Sequence, residues 1–164
     1  MKPGKLNKNH KGFTLLETIV AVGVITVGLV AVLALINSSL SYVSLIKDRL
    51  IAAYLNSEGL EVARNIRDNN WLQSLNWNNN LTDGDYNIVY NSLSLSSYAD
   101  TELWIDASSG LYNYSSGSPS GFKRKVSISR LPNGYEIQVI SAVTWQRKGI
   151  NYTNSAEDHL FNWK

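Results

Sequence analysis

The sequence predicts an α+β protein in which a long N-terminal helix, membrane-spanning over its first half, packs through its second half on an antiparallel β-sheet head. Three observations carry this expectation: an apolar run near the N-terminus, a helical periodicity that continues beyond it, and a change to alternation of period two from residue 83 onward. At 164 residues, 44% hydrophobic and 17% charged, the chain holds one ordinary globular domain with that run left over.

Residues 1–12 contain four lysines and no acid, and without them 11 basic side chains face 13 acidic ones, so the formal charge moves from +2 to −2. A positive charge this local argues against a protein that coats nucleic acid with its whole surface, and it suits a segment held on the cytoplasmic side of a membrane. There is no cysteine, so the domain is held by its core alone, without disulfides or thiolate metal sites.

Residues 13–36 read FTLLETIVAVGVITVGLVAVLALI, and Glu17 is the only charge among them. As a helix they extend roughly 36 Å, enough to cross a hydrocarbon core with some tilt. Val, Ile and Thr are indifferent helix formers in water, but in lipid every backbone polar group must be paired within a single span, and only a helix does this. Lys2, Lys5, Lys8 and Lys11 precede the run and the next basic residue is Lys47, which places the N-terminus in the cytoplasm and the bulk of the chain outside. A cleaved secretory signal would need a shorter apolar region and an A-x-A-like site, and residues 1–40 contain no such site. A plain signal anchor explains the lysines and the run but has no use for the carboxylate of Glu17. In mid-membrane an acidic side chain costs about 2.5–3.5 kcal/mol, less near a helix end, so Glu17 implies a partner, most simply an amine.

The residues Lys11-Gly12-Phe13-Thr14-Leu15-Leu16-Glu17 resemble the signature of type IV prepilins and type II secretion pseudopilins. The resemblance implies that a membrane aspartyl prepilin peptidase cuts between Gly12 and Phe13 and N-methylates Phe13. It implies too that Glu17 is the assembly glutamate, paired with the N-terminal amine of a neighbouring subunit. An amine and a carboxylate, each costly alone in lipid, neutralise each other when two helices pack at one axial stagger. Two features depart from many major pilins. Ala31-Val32-Leu33-Ala34 stands where they carry a proline, and the cysteine pair that closes their C-terminal loop is missing. Both departures point to a minor pilin or pseudopilin, or to a lineage that does without disulfides.

The division expected is a basic leader at 1–12, a transmembrane and filament-core helix at 13–36, a helical continuation at 37–69 and a β-sheet head at 70–164. Ile36, Leu40, Val43, Leu50 and Tyr54 recur at helical spacings, and Leu55, Val62 and Ile66 continue along a shifted stripe. Asp48, Glu58, Glu61, Arg64, Arg67 and Asp68 read as a solvated face, with Glu61–Arg64 and Arg64–Asp68 at pairing distance along a helix. Asn69-Asn70 weakens the pattern near residue 69, and residues 71–77 suggest a short turn before the Asn78-Asn79-Asn80 loop.

Beyond that loop, Tyr86, Ile88 and Tyr90 alternate with Asn87 and Asn91, and Leu103 and Ile105 are flanked by polar residues. Residues 110–114 form a short aromatic run, and residues 115–121 read as a loop. Phe122, Val126 and Ile128 then lead into the turn signal Pro132-Asn133-Gly134, followed by Tyr135, Ile137, Val139, Val143 and Trp145 on alternating positions, the clearest hairpin in the chain. Val143-Thr144-Trp145 is also similar to minor pseudopilins. Residues 156–163 fit a strand or a final helical turn.

Catalytic chemistry has few candidates, namely His10 in the leader and His159 beside Asp158, which reads as a surface residue; no enzyme and no cofactor are expected. Asp83-Gly84-Asp85 offers oxygen ligands of the kind that hold calcium, but without EF-hand spacing it reads as a turn into a strand. Five tryptophans and nine tyrosines, with Lys123, Arg124, Lys125, Arg147 and Lys148, raise a binding face for sugar or single-stranded DNA. Core aromatics and solvated basic residues account for the same composition. The expected function is therefore structural, a subunit of a type IV pilus-like or type II secretion-like filament. By resemblance its partners are other pilin subunits, prepilin peptidase, an assembly ATPase, a platform protein and the membrane. A DNA-binding competence pseudopilin and a signal-anchored domain that never polymerises are the alternatives.

Overall fold

The structure, a computed structural model, describes residues 12–132 and 134–163; Lys2, Lys5, Lys8, Lys11 and His10 of the leader and Asn133 of the hairpin turn lie outside the described residues. The chain divides into two units between Leu45 and Ile46, and helix α1, Leu15–Leu72, contributes to both.

In the first unit the helix is apolar all round. Its large side chains between Phe13 and Ile36 are 48–80% exposed, and α1 contains a stretch long and apolar enough to cross a membrane. Its hydroxyls are satisfied locally: Thr18 Oγ1 donates to Leu15 O (2.8 Å) and Thr26 Oγ1 to Val22 O (2.7 Å), so neither brings an unpaired polar group into the apolar surface.

In the second unit α1 lies on a five-stranded sheet of order β2-β1-β6-β7-β8, with strands β1 (Gly84–Asn87), β2 (Ser96–Ser97), β6 (Phe122–Arg130), β7 (Glu136–Arg147) and β8 (Ile150–Phe161), every neighbouring pair antiparallel. A second, three-stranded sheet of order β4-β3-β5 is made by β3 (Trp104–Ile105), β4 (Tyr112–Asn113) and β5 (Ser118–Pro119). Alternation along β6 and β7 sends Phe122, Val126, Ile128, Ile137, Val139, Ser141, Val143 and Trp145 inward and leaves Lys123, Lys125, Ser127, Ser129 and Gln138 on the other face.

The helix meets the sheet through small residues interleaved with larger apolar ones. Ala52, Leu55, Asn56, Gly59, Val62, Ala63, Ile66 and Asn70 are its buried positions, whereas Leu40, Val43, Leu50 and Tyr54 of the expected stripe are exposed. Gly59 sets the approach. A Cβ there would stand 2.8 Å from Ser141 Oγ and 3.1 Å from Val126 Cγ2, so the roughly 1 kcal/mol that glycine costs a helix is the condition for close packing.

The charges expected to be solvated instead tie the helix to three strands in turn. Asp48 pairs with Arg147 of β7 (2.6 Å), Glu58 with Arg124 of β6 (2.9 Å), and Arg64 with Asp158 of β8 (2.7 Å). Arg64 also pairs with Glu61 as its spacing predicts (2.5 Å), but Asp68 takes Arg67 instead. Arg124 is fully buried. Its guanidinium donates to Leu55 O (2.8 Å), to Ile88 O and to Glu58, between an apolar cluster around Val62, Ile128 and Ile137 and another around Leu55, Phe122 and Trp145.

The helix runs three residues past its expected end and stops in a Schellman motif. Leu75 N–H donates to Asn70 O (2.9 Å) and Ser74 N–H to Trp71 O (3.1 Å), with Ser74 left-handed at φ 58°. Asn70 then holds the following loop by donating to Trp77 O and Asn79 O. The expected loop at 115–121 contains β5, and Gly117 just before it lies where any Cβ would collide with Ile105 O. Of residues 156–163, those up to Phe161 are the end of β8, reached through a two-residue turn with both Lys148 (φ 49°) and Gly149 (φ 78°) left-handed, the geometry of a type I′ hairpin.

Arg124→Met is expected to destabilise the second unit by about 3 kcal/mol, because two buried carbonyls and Glu58 lose their donor together. Denaturant titration of the full chain in detergent, followed by tryptophan fluorescence, measures this; a loss below about 0.5 kcal/mol would show that the tie is dispensable.

Candidate functional site

The start of α1 is built by Thr14. Its side chain stands at the N-cap: Oγ1 accepts the Glu17 N–H (3.2 Å), and its carbonyl accepts the Thr18 N–H (3.2 Å). Thr14-Leu15-Leu16-Glu17 has the spacing of a capping box, a signal present in the sequence but masked there by the more conspicuous carboxylate. Glu17 therefore sits in the first helical turn, at the positive end of the helix dipole. Its carboxylate makes no hydrogen bond or ion pair among the described residues. Gly12 and Phe13 precede the helix, and Phe13 is fully accessible. Nothing in the fold requires glycine at 12, since an added Cβ would meet no atom within 4 Å and the backbone is not left-handed there.

Residues 7–33 match the family described as the prokaryotic N-terminal methylation motif. The chain carries the type IV prepilin signature. Prepilins with this motif are substrates of prepilin peptidase and are structural rather than catalytic proteins, and the apolar helix that follows the motif fits a membrane-anchored chain. No curated protein and no solved structure matches the sequence.

The other candidates in this prepilin-like chain are drawn into its own fold. Lys123 pairs with Asp100 (2.7 Å), Lys125 with Asp85 (3.2 Å), Arg124 with Glu58 and Arg147 with Asp48, so four of the five basic residues raised as a binding face are met by acids rather than held free for phosphates. Trp77 and Trp145 are core residues. Phe122, Trp145 and Tyr152 form a ladder across three strands with centroids 5.8 and 5.5 Å apart, and Trp71 meets Trp163 edge-on at 4.6 Å. Asp83 accepts the Arg130 N–H (2.6 Å) and Asp85 the Ser127 hydroxyl (2.6 Å), which makes this segment the lead into β1. Among the described residues no group of three His, Asp or Glu side chains is arranged to hold a metal ion.

His159 lies on the exposed face of the sheet with Nδ1 2.5 Å from Glu136 Oε1 and Nε2 2.8 Å from Glu157 Oε1. With an acceptor at both ring nitrogens the imidazolium is favoured, and the hydrogen bond to Glu157, followed by that to Glu136, raises its pKa above the ordinary 6.5. This is an orienting pair of carboxylates with no adjacent nucleophile. A raised folded-state pKa contributes stability that is complete below about pH 6.5 and is lost as pH rises through the folded value. His159→Gln should therefore narrow the stability gap between about pH 6 and pH 8.5 relative to the unsubstituted chain. Denaturation midpoints across that window test it, and an unchanged profile would remove His159 as the titrating group.

Proposed function

We propose that the chain is a minor pilin or pseudopilin, a structural subunit cut between Gly12 and Phe13 by prepilin peptidase, N-methylated on Phe13, and assembled into a pilus-like or secretion-like filament. Residues 1–12 are its leader, 13–36 cross the cytoplasmic membrane with the N-terminus inside, and 37–164 face the periplasm or exterior. The observation that carries this reading is the unpartnered carboxylate of Glu17, set within the matched motif in the first turn of an exposed apolar helix. An unpaired acid in lipid is a standing cost, and the methylated amine of a neighbouring Phe13 removes it while setting the axial stagger. The freedom of the fold from any need for glycine at 12 supports the same reading, because a small residue there then answers to a peptidase. Other pilin subunits, an assembly ATPase and a membrane platform protein are the partners proposed. The ion pairs of Lys123, Arg124, Lys125 and Arg147 disfavour DNA.

Intact-mass analysis of the chain recovered from host membranes or filaments is expected to give a species beginning at Phe13 with one added methyl group, and Gly12→Leu is expected to leave the precursor uncut. A chain that keeps Met1 would make this a signal-anchored domain. Glu17→Leu should insert into the membrane as well as the parent or better, yet fail to enter filaments. Normal incorporation of that variant, measured in sheared surface fractions, would sink the pairing of Glu17 with an amine.

A further inference from the structure

One feature of the head that the filament reading leaves unused is a groove of about 490 Å³ between the segment after β1 and the β3–β4 hairpin. Its size falls within the range of small-molecule sites. Its chemistry is unusual for this chain: asparagines, serines and two tyrosines line it, Asp106 is its one charged residue, and no lysine or arginine takes part.

Two of its polar groups are held in fixed orientation. Asp106 Oδ1 accepts the Ser108 N–H (2.7 Å) and the Ser108 hydroxyl (2.6 Å), and these bonds hold its pKa below the ordinary carboxylate value, so it is ionised at neutral pH. Asn113 Oδ1 accepts the N–H groups of Ser115 and Ser116, both at 2.8 Å. In each case the other atom of the side chain, Asp106 Oδ2 and Asn113 Nδ2, makes no hydrogen bond among the described residues. Trp104 pairs with Asn113 and Asp106 follows Trp104 by two residues, so Asp106 and Asn113 project from the same face of the hairpin. The groove thus presents one oriented acceptor and one oriented donor on the same face of the hairpin, Asp106 opposite Leu111 and Asn113 opposite Trp104. Tyr90, 46% exposed, and Leu111, 39% exposed, supply apolar surface on either side.

We propose that this groove binds a neutral oligosaccharide, with Asp106 Oδ2 and Asn113 Nδ2 engaging adjacent hydroxyls and Tyr90 stacking on the C–H face of a pyranose ring. A hydroxyl donates and accepts at once, so neighbouring hydroxyls satisfy an acceptor and a donor that face the same space. An anionic ligand meets the opposite environment, an ionised carboxylate with no cation. A purely apolar ligand would strand both oriented groups without partners, which is the strongest form of rejection such a site has. The inference goes beyond assembly: it gives the head a recognition role that holds whether or not the chain polymerises.

The test uses the full chain in a detergent without a sugar headgroup, since alkyl glycosides would compete. Saturation-transfer NMR with chitotriose, cellotriose and lacto-N-triose as neutral probes and 3′-sialyllactose as the anionic one reads binding directly. At least one neutral probe should bind. Asp106→Asn and Asn113→Asp keep the Oδ1 atoms that hold the two turns while reversing the donor and acceptor offered to the ligand, and each should weaken that binding about tenfold or more. Tyr90→Ala, at an exposed side chain, should weaken it comparably. Absence of signal transfer from all three neutral probes at about 10 mM, equal binding of sialyllactose, or affinity untouched by the three substitutions would each overturn the proposal.

Discussion

One continuous helix that must obey two burial rules is the constraint on which the rest of the structure depends. Over its first half every face of α1 is apolar and exposed, and over its second half the buried positions fall on a single face. The backbone bonds are the same throughout, so only the side chains distinguish the two regimes. Thr18 and Thr26 fold their hydroxyls back onto the helix in the first regime, while Asn56 and Asn70 send their amides outward in the second, to Asn154 and to the loop at residues 77–79. Hydroxyls are thus closed onto the helix, while the two asparagine amides of the second half are used as fasteners.

The helix-to-sheet contact follows from that division. An amphipathic stripe of large residues would hold the helix about 10 Å from the sheet, as in ordinary layered packing. Here Ala52, Gly59 and Ala63 share the buried face with Leu55, Val62 and Ile66, and ties at Asp48, Glu58 and Arg64 each reach a different strand. Because those ties are partly or wholly withdrawn from water, breaking one partner costs more than the pair contributes, which turns them into devices for register. A helix slid by one turn would lose all three at once.

This also explains which parts of the fold were legible in the sequence. The apolar run, the α+β order and the β6–β7 hairpin carry periodicity in large residues, and periodicity is what a sequence displays openly. The packing face of α1 was legible at Leu55, Val62 and Ile66, which are buried as the shifted stripe expects, whereas Ala52, Asn56, Gly59, Ala63 and Asn70 of the same face carry no large-residue signal and the stripe through Leu50 and Tyr54 is exposed. The end of the helix was hidden because Ser74 takes the left-handed position usually given to glycine, and the β7–β8 turn because Lys148 does the same. Strand β8 is polar at most positions, so neither periodicity marks it; its identity comes from twelve pairs with β7. Arg124 is the clearest case. Between Lys123 and Lys125 it reads as one of three surface charges, and only the pleat of β6 turns it inward.

At the N-terminus the position is reversed, and the reason lies in where a residue's requirement comes from. Arg124, Gly59 and Asn70 break a local rule and are compensated inside the chain, by carbonyls, by a close contact and by a loop, so their meaning emerges only once the fold is known. Gly12 and Glu17 break a local rule with no compensation among the described residues: a glycine with nothing near it, and an acid in an apolar helix with no partner. A choice that the protein's own fold does not explain answers to something outside it, which is why a short motif can be read without the structure. The oriented but unused atoms of Asp106 and Asn113 pass the same test in the head, where no motif marks them and the pleat of a short hairpin is needed to bring them together.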